Sequence, residues 1–239
     1  MHFIDSKDFF IIAHRGSSKY TENTISAFND AVSAGVDAVE LDVQLTKDSV
    51  PVVFHDIDAK RLANVDRKIY NMSARDIKAL NLPGNEKVPT LIEVLENFRN
   101  TNIFLELKFR DDAGEKRIKD TVSRVHSIIN ARNAINRILL ISFNHEAISL
   151  FKRMDRNAKV GYLFYESPDR IIKDSKIKID VLLPFYELVD EKFMKIYSSY
   201  KIIPWTVNDK NDFYRLKDLG VSGIISDNAV DFINSYVVP

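Results

Sequence analysis

A TIM barrel, a closed (β/α)₈ fold, with a small inserted segment after the second strand is the architecture that this sequence predicts. Short apolar runs rich in β-branched residues alternate with longer stretches of helical spacing, which is typical of a parallel sheet. The length of 239 residues matches the roughly 200–250 residues of many single-domain α/β barrels. About eight runs occur, which fits a closed barrel better than an open sheet: Phe9–Ala13, Val36–Val43, Ile103–Lys108, Ile138–Phe143, Lys159–Phe164, Asp180–Pro184, Ile202–Val207 and Gly223–Ser226.

The segment between the first two predicted strands has the signals of a helix. Asn23 and Thr24 are residue types that cap helix N-termini. Phe28 and Ala31 follow at helical spacing, and Gly35 can end the helix. We therefore predict that the first helix begins at Asn23-Thr24.

The connection between the second and third predicted strands is much longer than the others. Within it, Pro51–Phe54 suggests a hairpin and Ser73–Leu80 a helix. We predict an excursion at about residues 46–87, before a helix at Leu91–Asn100. Because no linker rich in Gly and Ser is present, we predict one domain over residues 1–239, with the excursion as an elaboration of the barrel.

Composition excludes several classes of protein. The 34 basic and 34 acidic residues give a formal net charge of +0, so no overall field attracts nucleic acid or an anionic membrane. The absence of cysteine excludes disulfides and thiolate ligands. No run approaches the ~18 apolar residues of a membrane-spanning helix, and charged residues interrupt the first apolar run, unlike in a secretory signal. We expect a cytoplasmic protein with a small-molecule substrate and no nucleic-acid partner, whose oligomeric state composition does not fix.

Acidic side chains lie on one face of two predicted strands. Residues two apart in a strand share a face, so Glu40 and Asp42 point together while the apolar residues between and beside them point away. Glu106 and Lys108 repeat this pattern in the next barrel strand. If the apolar face meets the helices, these groups enter the barrel at the C-terminal strand ends, where barrel active sites lie.

Three carboxylates that converge inside a barrel repel one another and lose hydration unless a cation compensates them. We therefore predict that Glu40, Asp42 and Glu106 bind one divalent cation. Oxygen ligands favour Ca²⁺ or Mg²⁺ over zinc. The alternative is a purely structural network in which these acids pair with Arg15 and Lys108.

Two histidines follow predicted strands directly. His14 follows the first apolar run, and His55 follows the run inside the excursion. With an ordinary pKa of about 6.5, two histidines at one barrel mouth can serve as a base and an acid near neutral pH. We predict that His14 and His55 are catalytic, whereas His2, His126 and His145 lack comparable surroundings and are predicted to be on the surface or incidental.

Fixed positive charge is expected beside the predicted cation site. Arg15 follows His14, and Lys108 follows Glu106 by two residues. Such groups position an anionic phosphoryl group and stabilise charge in its transition state. The sequence lacks a GxxxxGK[ST] loop, so a phosphorylated substrate is favoured over nucleotide-driven phosphoryl transfer.

Several short motifs recur along the chain in a recognisable order and spacing. They are His14-Arg15-Gly16, Glu22-Asn23-Thr24, Glu40-Leu41-Asp42-Val43, His55-Asp56, Val88-Pro89-Thr90-Leu91, Glu106-Leu107-Lys108, Ser142-Phe143, Trp205-Thr206-Val207-Asn208 and Gly220-Val221 through Asp227. No single motif is diagnostic. Together they make the sequence resemble the glycerophosphodiester phosphodiesterase family over nearly the whole chain.

The resemblance implies a TIM barrel that hydrolyses glycerophosphodiesters to glycerol 3-phosphate and an alcohol with the help of a divalent cation. It also implies a role for each matching residue. Glu40, Asp42 and Glu106 would bind the cation, and His14 and His55 would be the general acid–base pair. Arg15 and Lys108 would bind the phosphate. Phe143 and Trp205 would line the glycerol pocket, and Glu22 would have a supporting role.

The sequence departs from the family pattern at a few positions. Thr21 replaces the usual proline before Glu22, and Lys60–Asn64 lacks the usual Arg-Thr-Thr run. Ser226 precedes Asp227 where threonine is commoner. None of these changes removes a predicted ligand or histidine, so they bear on substrate preference and loop conformation. Asp227 and Asn228 are compatible with simple capping of the last helix.

Two other functions are consistent with parts of the sequence. A phosphodiesterase for lysophospholipids or other lipid headgroups would need an exposed apolar rim, for which the excursion offers Ile57, Leu62, Ile69, Tyr70 and Met72. A non-catalytic barrel that binds a phosphorylated ligand is the other, although every predicted histidine and carboxylate is present. The residues do not distinguish direct attack by water from initial attack by a glycerol hydroxyl, nor the acid histidine from the base.

Overall fold

Parallel strands alternate with helices in the computed structural model, which describes residues 1–109, 113–174 and 177–236. Within these ranges the strands are β1 (Phe10–Ala13), β2 (Ala38–Leu45), β3 (Pro51–Val53), β4 (Asp58–Ala59), β5 (Val65–Lys68), β6 (Ile103–Leu107), β7 (Ile138–Ser142), β8 (Lys159–Phe164), β9 (Val181–Pro184), β10 (Lys201–Ile202) and β11 (Gly223–Ser226). The α-helices are α1 (Ile25–Ser33), α2 (Lys60–Ala63), α3 (Ala74–Lys78), α4 (Leu91–Asn97), α5 (Glu115–Ala131), α6 (His145–Met154), α7 (Asp169–Asp174), α8 (Glu191–Ile196), α9 (Lys210–Asp218) and α10 (Ala229–Tyr236).

Eight of these strands form a barrel in the order β11-β1-β2-β6-β7-β8-β9-β10, with parallel neighbours. The two ends of this order meet through backbone hydrogen bonds. The Ser222 N–H donates to the Ile202 carbonyl at 2.7 Å, and the Ile225 N–H donates to the Pro204 carbonyl at 3.0 Å. The predicted TIM barrel is therefore confirmed.

The seventh barrel strand is shorter than predicted. The apolar run Ile202–Val207 suggested a strand of full length, but β10 is a ladder of only 2 residues. Pro204 has no N–H to donate, so it interrupts a regular ladder. Single hydrogen bonds replace the ladder beyond this point, such as the 3.1 Å bond from the Trp205 N–H to the Pro184 carbonyl. The chain still runs along β9 and delivers Trp205 to the C-terminal end of the barrel.

The helices pack around the outside of the barrel, and the first begins where the sequence predicts. The Thr24 hydroxyl accepts a hydrogen bond from the Ala27 N–H at 3.3 Å, which caps α1. Gly35 follows the helix with φ +87°, a conformation that glycine adopts without strain. None of the described helices has the length and apolar character needed to cross a membrane.

The barrel interior is divided into an apolar lower part and a polar upper part. Inward-facing apolar residues form one buried cluster towards the N-terminal strand ends: Phe10, Ile12, Ala38, Phe104, Leu139, Ile141, Leu163, Val181, Leu183, Ile203 and Ile225. Phe3 and Ile4 belong to the same cluster and close the N-terminal end of the barrel. The inward-facing carboxylates Glu40, Asp42 and Glu106 therefore lie towards the opposite end.

His2 takes part in this closure, so the surface position that was one of the two alternatives predicted for it is wrong. Its side chain is buried, its Nε2 lies 2.9 Å from the Ile138 carbonyl, and its Nδ1 accepts the Ile4 N–H. Burial lowers the pKa of its imidazole. The first residues fold under the barrel, a long-range contact for which the local sequence carries no signal.

The excursion after β2 begins with a hairpin, as the sequence predicts. β3 pairs antiparallel with the end of β2, with Val53 opposite Val43. The short hairpin β4–β5 and the helices α2 and α3 follow. This segment has its own buried cluster, formed by Val52, Phe54, Ala59, Ile69, Met72, Ile77, Leu80, Leu82 and Val88. The excursion thus packs at the C-terminal ends of the barrel strands, and it places His55 there.

Candidate active site

Three buried carboxylates converge near the C-terminal ends of β2 and β6. Glu40 and Asp42 point inward from β2, and Glu106 points inward from β6, where it is the register partner of Asp42. Each offers an oxygen that lies within 4.8 Å of the others. Glu40 Oε1 and Asp42 Oδ1 are buried and have no hydrogen-bond partner. Buried acceptors without partners are costly, so this cluster favours a bound cation.

Two basic side chains face the carboxylates. Lys108 Nζ lies 2.9 Å from Glu106 and 3.4 Å from Asp42, and Arg15 Nε lies 3.3 Å from Asp42 Oδ2. The ionic pairing that the sequence allowed as a structural alternative is therefore present. Within the described part of the chain, two cations face three acids, so the pairing balances only part of the charge.

The pKa values of the carboxylates reflect this imbalance. Burial, followed by repulsion from Asp42 and Glu106, raises the pKa of Glu40 well above its usual range. Burial raises the pKa of Glu106 to about 7 against the opposing effect of Lys108. Burial also acts on Asp42, but Lys108 and Arg15 outweigh it and lower the pKa of that carboxyl. Without a metal ion, the cluster therefore favours taking up a proton.

His14 is held by a carboxylate from the other end of the chain. Its Nδ1 lies 2.6 Å from Asp227 Oδ1, and its Nε2 lies 3.9 Å from Glu40 Oε2. Asp227 is itself fixed, because its Oδ2 accepts a 2.7 Å hydrogen bond from Asn208 Nδ2. When Nδ1 carries a proton, its N–H donates a hydrogen bond to Asp227, and Nε2 on the side of the carboxylates is then available to accept a proton. Asp227 thus orients His14 and is not merely a helix cap.

His55 is held in the same way within the excursion. Its Nδ1 lies 2.8 Å from Asp56 Oδ1. Arg61 forms a fork onto Asp56, with Nε donating to Oδ2 at 2.6 Å and Nη2 to Oδ1 at 3.0 Å. Gln44 fixes the backbone by donating from Nε2 to the carbonyls of Phe54 and Asp56. Burial, the largest effect, lowers the pKa of the His55 imidazole despite the attraction of Asp42.

Glu22 joins the excursion to the barrel through two arginines. It accepts hydrogen bonds from Arg15 Nη1 at 3.0 Å and from Arg61 at 2.6 and 2.9 Å. Glu22, His55 and Asp56 also form a second group of possible metal ligands. Arg61 hydrogen-bonds to the carboxylates of both Glu22 and Asp56, whereas the cluster around Glu40 has buried oxygens without hydrogen bonds, so that cluster is the better cation site.

The backbone around Arg15 is shaped by the same cluster. Arg15 has φ +55°, and its N–H donates to Glu40 Oε2 at 3.0 Å. Asn23, also at positive φ, donates from Nδ2 to Asp42 Oδ2 at 2.7 Å and accepts the Asp42 N–H. The turn after β1 thus forms direct hydrogen bonds with both carboxylates of β2.

Glu40, Glu106, both histidines and both basic residues line a cavity of about 100 Å³ together with aromatic side chains. His14, His55, Arg15 and Lys108 are on its polar side. Phe143 and Trp205 line its other side, and both are half-buried. Glu22 does not line this cavity but lies behind Arg15, in a neighbouring surface pocket.

Several residues that complete this arrangement were not predicted from the sequence to have a role in the site. They are Asn23 as a partner of Asp42, Asp56, Arg61, Tyr165 and Asn208. Asp56 was recoverable, since an acid beside a predicted catalytic histidine is a natural orienting group. The others depend on loops that meet only after folding.

Comparison with known proteins gives a consistent result. The model of the Glycerophosphoryl diester phosphodiesterase family matches residues 14–230. A glycerophosphodiester phosphodiesterase of Caldanaerobacter subterraneus subsp. tengcongensis is 33% identical over 240 residues, covering 94% of this chain and 96% of that protein. A lysophospholipase D of Mus musculus is 27% identical over 278 residues, covering 94% of this chain and 86% of that protein.

Solved structures support the same grouping. The structure of a phosphodiesterase from Oleispira antarctica in complex with the product sn-glycerol-3-phosphate is similar with a TM-score of 0.87 and 26% sequence identity. The similarity covers 98% of each chain. The fold match therefore includes the barrel and the excursion together.

Proposed function

This chain belongs to the glycerophosphoryl diester phosphodiesterase family of phosphoric diester hydrolases, and we propose that it hydrolyses glycerophosphodiesters to sn-glycerol 3-phosphate and an alcohol. The observation that carries the proposal is the cluster of three buried carboxylates, two of which, Glu40 and Glu106, line one cavity together with His14 and His55. The charge of the cluster suits a cation, and the histidines suit proton transfer.

We propose Ca²⁺ or Mg²⁺ as the cofactor, held by Glu40, Asp42 and Glu106. The donor set consists of oxygens only, which these ions prefer. Two of the oxygens are buried without hydrogen bonds, so they can bind an ion without first breaking a hydrogen bond. A cation bound there supplies charge that polarises the phosphoryl oxygens.

His14 and His55 are the proposed general acid–base pair. Each Nδ1 faces an aspartate, which directs the opposite ring nitrogen towards the reacting groups. One histidine takes a proton from the attacking group, which is either water or a glycerol hydroxyl whose cyclic phosphate water then opens, and the other donates a proton to the oxygen of the leaving alcohol. Arg15 and Lys108 add fixed positive charge at the phosphate.

A lysophospholipid phosphodiesterase is the second candidate, because one relative carries the name lysophospholipase D. The predicted apolar rim gives it little support. Ile69 and Met72 are buried in the core of the excursion, and Ile57, Leu62 and Tyr70 are only partly exposed. The apolar residues named for a rim are thus used largely for packing. The non-catalytic alternative has less support still, because no predicted histidine or carboxylate is displaced from the site.

Incubation of the purified protein with glycerophosphocholine is expected to release sn-glycerol 3-phosphate and choline. A chelator should abolish the release, and excess Ca²⁺ or Mg²⁺ should restore it, because among the described residues only Lys108 and Arg15 offset the charge of the three carboxylates. Coupled assays for both products provide the measurement. Activity that persists after exhaustive chelation would refute the cation requirement, and no hydrolysis of glycerophosphocholine, glycerophosphoethanolamine or glycerophosphoglycerol would refute the function.

The stabilisation by the cation is expected to increase with pH. Since the folded-state pKa of Glu106 is raised to about 7 from 4.5, its contribution to stability is fully present below 4.5 in the metal-free protein. That contribution is lost as the pH rises through 7, when the carboxylate becomes charged and repels its neighbours. A bound cation reverses the repulsion, so the rise in Tm on adding Ca²⁺ should be larger at pH 8 than at pH 5.

Thermal unfolding with and without Ca²⁺ at each pH measures this effect, and the difference cancels titrations elsewhere in the protein. A Tm increase that is constant from about pH 5 to 8 would show that these carboxylates do not exchange protons for the cation.

A further inference from the structure

A third ring extends the aromatic side of the cavity. Tyr165 stacks on Phe143 with ring centroids 5.0 Å apart and an interplanar angle of 16°. It also meets Trp205 edge to face, at 4.9 Å and 77°. Phe143 and Trp205 contact each other at 5.4 Å. The three side chains, here called the aromatic wall, therefore form one continuous surface.

Strand parity explains why these rings meet. Ile141 and Leu163 face the barrel interior from β7 and β8, and residues two further along face the same way. Phe143 and Tyr165 consequently stand directly above these two apolar residues. Phe185, two residues after the inward-facing Leu183 of β9, also contacts the wall, with its ring 5.8 Å from Trp205 and 6.3 Å from Tyr165. The apolar side of the cavity thus has a closed floor and a supported wall.

Tyr165 is the outermost member of the wall. Its side chain is 60% exposed, whereas Phe143 and Trp205 are half-buried. No described residue forms a hydrogen bond with its hydroxyl. An exposed aromatic ring that packs on two site residues lies at the cavity mouth, where it limits what can extend out of the apolar side.

The wall is also close to the groups that receive the phosphate. Lys108 Nζ lies 5.9 Å from the centre of the Phe143 ring. The family resemblance assigns the glycerol pocket to Phe143 and Trp205, so with the phosphate on Lys108 and Arg15 the glycerol arm of the substrate would lie against the wall. An acyl ester on that arm would have to continue past Tyr165, because the cavity is small and its floor is filled by Ile141 and Leu163.

We propose that Tyr165 is a specificity-determining residue that restricts the site to glycerophosphodiesters whose glycerol carries no acyl chain. This inference rests on the proposed function and narrows its substrate class. It distinguishes the chain from enzymes that act on lysophospholipids, because the ring blocks the path that an acyl chain needs.

The test compares two substrates with the same choline leaving group, glycerophosphocholine and a short-chain lysophosphatidylcholine used below its micelle concentration. Choline release gives kcat/KM for each. Tyr165→Ala is expected to raise the ratio of lysophosphatidylcholine to glycerophosphocholine turnover about tenfold or more, as is typical of opening an apolar pocket. Tyr165→Phe keeps the ring and should leave the ratio unchanged, whereas the larger ring of Tyr165→Trp should lower it.

Tyr214→Ala is the matched control, because Tyr214 is an exposed tyrosine, 41% accessible, on α9 outside the cavity. It should leave the ratio at the wild-type value. If Tyr165→Ala and Tyr165→Trp both hydrolyse glycerophosphocholine and both keep the wild-type ratio, this inference alone is overturned. The same holds if the wild-type protein hydrolyses both substrates equally well. Wild-type protein that cleaves no glycerophosphodiester would overturn the proposed function and this inference with it.

Discussion

His14→Ala and His55→Ala are each expected to lower kcat by about 10²–10⁴-fold, the range typical of a lost general acid or base. Both side chains line the cavity and are fixed through Nδ1 by an aspartate, so each loss removes a positioned proton carrier. KM should change much less, because Arg15 and Lys108 remain to bind the phosphate. Steady-state kinetics with glycerophosphocholine measures both constants.

The control for these variants is His126→Ala, since His126 lies on α5 and packs against Phe151, away from the cavity. It should retain wild-type kcat. The double variant His14→Ala/His55→Ala should lose little more than the worse single variant if the two groups act in one step. A kcat within a few-fold of wild type for either single variant, with the cation present, would remove that histidine from the mechanism.

Neutralising the carboxylates is expected to abolish cation binding and to reduce activity by at least about 100-fold, because the loss of one ligand leaves the cation with too few. The effect on the metal-free fold should differ between positions. Burial and repulsion raise the pKa of the Glu40 carboxyl, so folding without metal has to protonate this group or bury it as an anion; Glu40→Gln removes that cost and should stabilise the metal-free protein. Asp42→Asn removes a charge that Lys108, Arg15 and Asn23 stabilise, so it should destabilise it.

Calorimetric titration with Ca²⁺ and thermal unfolding in chelator measure the two effects. A change of 1 kcal/mol corresponds to about 2–4 °C in Tm for a chain of this size, so opposite shifts of a few degrees are resolvable. Glu96→Gln serves as control, since Glu96 pairs with Arg132 on the surface at 2.9 Å. Unaltered Ca²⁺ affinity in Glu40→Gln would exclude this cluster as the cation site, and equal Tm shifts for Glu40→Gln and Asp42→Asn would refute the charge-balance argument.

Much of the fold followed from local patterns. The strand runs were recognisable because a buried parallel strand needs a nearly continuous apolar sequence, and Thr24 capped the first helix because its hydroxyl satisfies a free N–H. The strand predicted at Ile202–Val207 was too long, because a hydrophobic pattern does not show that Pro204 lacks the backbone N–H that a regular strand needs. His2 was misjudged because its burial depends on Phe3 and Ile4 filling the far end of the barrel.

The candidate site divides in the same way. Strand parity alone predicts that Glu40, Asp42 and Glu106 share the barrel interior, because alternation along a strand is a property of the backbone. The partners of each group are not local. His14 and Asp227 are 213 residues apart, and they meet only because β1 and β11 are neighbours in the closed barrel.

What the sequence by itself determined is therefore the type of fold and the inward direction of the polar residues, since both follow from the periodicity of the backbone. Only the tertiary structure decided which aspartate orients each histidine and which carboxylates Arg15 and Lys108 pair with. It also decided that Tyr165 completes the aromatic wall. These features depend on distances between loops, and such distances exist only once barrel closure brings the strand ends together.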